Sequence, residues 1–251
     1  MTSTSKAPAE PFHILVFSKT SGFRHDSIPT AVLALKSLGT RTGLFAVDAS
    51  EDAEATITLP SLATYATAVF LHCTGNFLDK AQLGALRGYV QSGGGFLVGA
   101  HFDQHPPPEE GVCIVEDPEH FITRRDGGHG RNTVDEADQT RKQWTDEWYN
   151  FLSHPRNNKN LQILARGDPS TFEGGVMGDD HPLAWCQEFD GGRSFYMGLG
   201  HYSEAYKDGW FIDRILRAIA WTASRDDISC APSCCSSHRL NYVEAIDQDM
   251  D

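Results

Sequence analysis

Histidines and carboxylates stand among aromatic residues in two stretches of the second half of the chain. Asp146 and Glu147 lie between Trp144 and Trp148, and His181 and His201 bound residues 182–200. Imidazole nitrogens and carboxylate oxygens are the groups used for proton transfer and for holding zinc or a similar ion. Flanking indoles would keep water from the two acids and raise a carboxylate pKa toward a useful range, although the same acids also fit the exposed start of a helix. Residues 183–189 and 194–199, split by Asp190, Gly191, Gly192 and Arg193, read as a β-hairpin with a glycine-bearing turn. The start of one antiparallel strand lies beside the end of the next, so His181 and His201 are expected at one sheet edge, able to share a ligand or metal.

A third candidate is His25, next to Arg24 in a glycine-bearing loop after the apolar run 13–17. The run, the loop and a helix capped by Asp26 or Ser27 form a strand, loop, helix unit, with the helix predicted to stop at Gly39. The unit recurs: residues 68–72 read as a strand, 73–76 as a loop, and Asp79 with Gln82 as a capping box opening a helix that ends at Gly93. Residues 45–47, 96–100 and 162–165 add strands, and residues 209–223 a closing amphipathic helix. Such alternation implies an α/β domain with a mainly parallel sheet and helices on both faces. Ligands in such sheets sit beyond the carboxyl ends of the strands, which puts residues 19–25, 73–76 and the segment from His101 on one rim.

Other motifs carry less. His101 and His105 have the spacing of a helical metal pair, but the prolines at 106–108 disfavour a helix there, so both are read as loop residues without a role. Cys73, Cys113 and Cys186 sit in or beside apolar runs and read as small hydrophobes, which discounts Cys73 as a nucleophile. Cys230, Cys234 and Cys235, with His238 nearby, lack the spacing of a zinc finger. No Gly-x-Gly-x-x-Gly follows the first strand, so no dinucleotide is expected.

The chain has 251 residues, a formal charge of -13 and 40% apolar residues, enough for one sizeable core and unfavourable to nucleic acid or an anionic membrane. A polar lead over residues 1–11, the absence of a spanning apolar run, and a tail over 224–251 without periodicity predict a cytoplasmic protein with a folded domain at 12–223 and a disordered cysteine-containing tail.

Several motifs in one order then add a resemblance: Ser-Gly-Phe-Arg-His25, Thr74-Gly75, Gly93 to Phe96, the segment around Asp146 and Glu147, and the hairpin from His181 to His201 with Tyr206. Over residues 12–223 the chain resembles the ThuA-like family, named for trehalose utilisation. The resemblance implies a flavodoxin-like fold akin to class I glutamine amidotransferases and a role in disaccharide or keto-sugar metabolism. With it come an expected site of His25, Glu147, His181 and His201, holding a divalent metal such as zinc, and a sugar contacted by Arg24, Thr74, Asp146, Trp148 and Tyr206. A sugar-binding member without turnover and a cysteine-dependent hydrolase are the alternatives, and a homo-oligomer is compatible with any of them. One departure stands out. Gly99-Ala-His-Phe-Asp follows Phe96 almost at once, where the family has a strand, a sharp elbow with a histidine, and a helix. The elbow and helix are read as missing near residues 98–100, which should expose apolar sheet surface; the alternative alignment makes His101 the elbow residue.

Overall fold

The computed structural model describes residues 10–99, 102–124 and 140–226. The lead up to residue 9, His101 and the tail cysteines lie outside the described residues. Nine strands form one sheet: β1 (Phe12–Phe17), β2 (Phe45–Ser50), β3 (Thr67–Phe70), β4 (Gly95–Val98), β5 (Glu109–Val115), β6 (Arg141–Asp146), β7 (Gln162–Gly167), β8 (His181–Phe189) and β9 (Gly192–Met197). Their order is β2-β1-β3-β4-β9-β8-β7-β5-β6.

The sheet has two halves. β2, β1, β3, β4 and β9 run parallel, whereas β8, β7, β5 and β6 continue from β9 as antiparallel neighbours. The mainly parallel sheet expected from the βα alternation is therefore corrected to a mixed one. The reason is legible in β5 and β6, which bury alternate residues at Gly111, Cys113 and Val115 and at Trp144 and Asp146, as antiparallel strands with one face on the core do. Neither strand was drawn from the sequence.

Helices cover both faces of the parallel half. The helices are α1 (Ile28–Thr42), the short α2 (Ala53–Thr56) and α3 (Leu59–Leu62), α4 (Lys80–Gln91) and α5 (Gly209–Thr222). Ile14 to Phe17 are all fully buried because their side chains alternate between two cores. Ile14 and Val16 join Val69, Leu97, α1 and α5 on one face; Leu15 and Phe17 join Phe70 and residues of α2, α3 and α4 on the other. Phe96 and Val98, expected to lose their cover, are half-buried and pack against this second core.

Local signals hold with small shifts. Asp79 and Gln82 form both bonds of the capping box, and Asp190 and Gly191 turn the β8–β9 hairpin with φ of 53° and 102°. α1 runs past Gly39 to Thr42 and ends at Gly43 in the left-handed region. Gly39 serves packing instead: a Cβ there would lie 2.4 Å from the carbonyl oxygen of Phe45.

Candidate functional site

Three side chains with metal-binding atoms converge where the two halves of the sheet meet. One ligand atom each from His25, Glu147 and His201 lie within 4.8 Å of one another. His25 comes from the loop after β1, Glu147 follows β6 at the far edge, and His201 follows β9 in the middle.

The His25 loop is held from below by the loop after β3. Thr20 and Thr74 form an isolated bridge, Ser21 donates its amide to the Thr74 carbonyl at 2.9 Å, and the Thr74 hydroxyl donates to the Phe23 carbonyl at 2.5 Å. Gly75, at φ 73°, is required by this approach, since a Cβ would stand 2.6 Å from Ser21 Oγ. Thr74 thus positions the loop through its hydrogen bonds, and Arg24 is turned outward onto Glu51 at 2.7 Å. His25 itself is buried, and its Nδ1 has no hydrogen-bond partner. Burial first, and the neighbouring His201 second, push its pKa down, which favours the neutral ligand form.

Beneath His25 lies His72, which the sequence reading took only as the end of a strand. The two rings stack at 4.5 Å, and His72 Nε2 is 2.8 Å from the Tyr206 hydroxyl. His72 is a non-glycine residue at φ 49°, buried, and pushed down to about 3 chiefly by desolvation. A neutral imidazole therefore backs the His25 imidazole. The available signal was a histidine ending a wholly apolar strand on the ligand rim. Tyr206 reaches the cluster through His72.

Asp146 and Glu147 divide their roles by direction. Asp146 is buried and accepts from Trp144 Nε1 at 2.9 Å, from the amides of Glu147 at 2.9 Å and Gly200 at 2.7 Å, and from that of His201 at 3.3 Å. Burial raises its pKa against those bonds. It ties the end of β6 to the segment after β9, and so fixes Glu147 and His201 relative to each other. Glu147 points into the cluster: Oε2 lies 3.1 Å from His201 Nδ1, within ion-pair reach but outside hydrogen-bond alignment, and accepts from the Tyr149 hydroxyl at 3.1 Å. Both acids are buried strand-end residues, which removes the reading of an exposed helix start.

His105, read from sequence as a loop residue without a role, stands beside this carboxylate, its Nδ1 3.6 Å from Glu147 Oε1. Its loop is pinned by the pairing of Gln104 with Asn150 and by the stacking of Phe102 on Tyr149 at 4.1 Å. The side chain of His105 is 30% exposed against 17% for His201, so it is the more solvent-open of the two imidazoles beside Glu147. Exposed Phe23 and Tyr202 stand edge-on to His25 and His201 at 5.0 and 4.7 Å, forming an aromatic rim.

Two of the expected residues are placed elsewhere. His181 opens β8 as foreseen, but it is fully buried with its ring edge-on to Phe172 at 5.0 Å and is not one of the three converging side chains. Neither of its nitrogens has an aligned hydrogen-bond partner, and burial pushes it down to about 4. Trp148 stacks on the same phenyl ring at 4.4 Å and 9°, with Nε1 donating to the Glu109 carbonyl. Strand alternation explains His181, whose edge was foreseen but whose side-chain direction depends on register, while Trp148 lies just beyond the end of β6. Cys73 donates its thiol to the Phe17 carbonyl at 3.2 Å, and burial raises its pKa to about 12. It stays a thiol at neutral pH.

Comparison with known proteins identifies the family and relatives of the same fold. The family model described as ThuA, trehalose utilisation, matches residues 13–98 and 96–222, two stretches that meet beside the point where a segment is read as missing. Among solved structures, a ThuA-like protein from Bacteroides uniformis superposes with a TM-score of 0.69 at 20% identity, over 88% of this chain and 95% of that one. A ThuA-like protein from Parabacteroides merdae gives 0.62 at 16% identity, over 85% and 90%. A cytoplasmic protein from Salmonella typhimurium gives 0.54 at 10% identity, over 83% and 98%. No curated protein matches by sequence.

Proposed function

We propose, from the premise that the chain belongs to the ThuA family of trehalose utilisation, that it is a cytoplasmic enzyme of carbohydrate metabolism whose His25, Glu147 and His201 hold a divalent cation such as zinc. The observation that carries this reading is the convergence of those three ligand atoms within 4.8 Å. Two imidazoles and one carboxylate are a donor set that zinc accepts, and three protein ligands leave a position for water or substrate, as in catalytic zinc sites. His25 offers an unpartnered buried nitrogen to the ion, and its burial favours the neutral form a ligand needs. A bound cation would polarise a sugar carbonyl or hydroxyl oxygen. His105, more open to solvent, is placed to pass protons to and from that position. Phe23 and Tyr202 offer faces to the C–H side of a sugar ring. The arrangement of the parallel half supports the flavodoxin-like comparison with glutamine amidotransferases, but the cysteine chemistry of that class has no support in the Cys73 thiol.

Metal analysis of the purified full chain tests the reading. About one zinc or similar ion per chain is expected, with loss of binding in Glu147→Gln, and a rise in melting temperature on adding trehalose or a keto-sugar. Failure to retain or take up zinc, manganese or cobalt would end the metal proposal. A second reading, a sugar-binding member without turnover, draws on the break in the family match at residues 96–98. It predicts the same stabilisation by sugar with no product formed.

A further inference from the structure

A cavity of about 40 Å³ lies at the carboxyl ends of β3, β4 and β9, directly beside the histidine cluster. Leu71, Leu97, Met197, Leu199, Phe211 and Ile215 form its apolar wall. Four polar side chains join them, and three already have partners within the wall or the cluster. His72 Nε2 and the Tyr206 hydroxyl bond each other at 2.8 Å, and the Tyr149 hydroxyl donates to Glu147 at 3.1 Å. The fourth is His201, a member of the cluster itself.

We propose that this cavity is a specificity pocket, taking a methyl- to ethyl-sized apolar substituent of the ligand held at His25, Glu147 and His201. The identity of that ligand's anchor rests on the metal reading above; the apolar character of the cavity does not. Size sets the class of substituent. A buried water needs roughly 10–15 Å³ of such space, so there is room for about three, but a water needs two to four polar partners and this wall offers few. A dry apolar cavity of about 150 Å³ admits benzene, and one about a quarter as large admits a short alkyl group and excludes an aromatic ring. Position sets the anchor. His201 and Tyr149 are both wall residues and both partners of the Glu147 carboxylate, so a group bound at that carboxylate has the cavity as its immediate neighbour.

The test uses hydroxamates, which chelate zinc through two oxygens and carry a variable arm, titrated calorimetrically into the zinc-loaded full chain. From formo- to aceto- to propionohydroxamate the Kd should fall about fourfold per added carbon, the equivalent of about 0.8 kcal/mol per buried methylene, and benzohydroxamate should bind no better than formohydroxamate. Leu97→Phe, which fills the cavity without touching the cluster, should abolish the gain and leave the formohydroxamate Kd unchanged. A flat series in the natural chain, or a gain that survives Leu97→Phe, overturns the proposal. Xenon-pressurised crystals of the natural chain supply a readout independent of metal and of the variant's folding. Xenon bound among Leu71, Leu97 and Ile215 is expected, and an empty cavity overturns the pocket. If zinc fails to load while xenon binds, the metal reading falls and the pocket loses its proposed anchor but keeps its apolar ligand class.

Discussion

The parallel half of the sheet and its antiparallel extension contribute to one site by different means. In the parallel half, β1 and β3 bring His25 and His72 to one rim because βα crossovers put every strand's carboxyl end on the same side. In the extension strand directions alternate, so position must be set by hydrogen bonds instead. Asp146 does this by clamping Gly200 and His201 beside Glu147. Topology brings the first pair to one rim, where the Thr74 bonds hold the His25 loop, while the second relies on a buried carboxyl group with four donors around it.

Breaking the antiparallel half at its packing centre should have the largest effect. Trp148 is fully buried and stacked on Phe172, and Trp148→Ala is expected to cost about 3–5 kcal/mol in urea unfolding. A cost below about 1 kcal/mol would show that the extension contributes little to the cooperative fold.

The same aromatic cluster should make this half acid-sensitive through His181. Burial holds its pKa at about 4 in the folded chain, against about 6.5 when unfolded. The stability tied to its neutral form is therefore complete above pH 6.5 and is lost as pH falls toward 4, by about 3 kcal/mol. His181→Leu should show a flatter curve over that window, and parallel curves for the two proteins would refute the assignment.

The clamp gives a smaller, more local effect. Asp146→Asn keeps the shape but turns one acceptor into a donor facing buried N–H groups, at an expected cost of about 1–3 kcal/mol. Hydrogen exchange should accelerate at the amides of Gly200 and His201 while β1 and β3 remain protected. Uniform acceleration across both halves would mean that the clamp is not specific to the seam.

The smallest effect is expected in the parallel half, at the cap of α4. Asp79→Ala removes the side-chain bond to the Gln82 amide and should lower stability by about 1 kcal/mol, with zinc affinity unchanged. Altered metal binding in this variant would show that the halves communicate beyond the seam.

The parts of the site legible in sequence follow the same division. His25 was readable because a glycine-bearing loop after an apolar strand must lie on the ligand rim. Glu147 and His201 were readable as polar residues among aromatics, but His181 and Trp148 carried the same signal and turned into the core. Within one antiparallel strand, adjacent residues face opposite ways, and a strand whose pairing is unknown has no assigned faces. His72 and His105 were passed over because their importance comes from partners distant in sequence: Tyr206, 134 residues from His72, and Glu147, beside which His105 is brought by the pairing of Gln104 with Asn150.

The amino-acid sequence by itself determined the βα units, the capping box of α4, the hairpin between β8 and β9, and the membership in a family, because each rests on periodicity, capping or turn chemistry that acts between near neighbours. The tertiary structure decided that the sheet continues antiparallel through β5 and β6, that Asp146 is a clamp while Glu147 faces His25 and His201, and that an apolar cavity lies behind His201. Those outcomes depend on register between strands far apart in the chain, and a one-residue change in that register would reverse every side chain concerned.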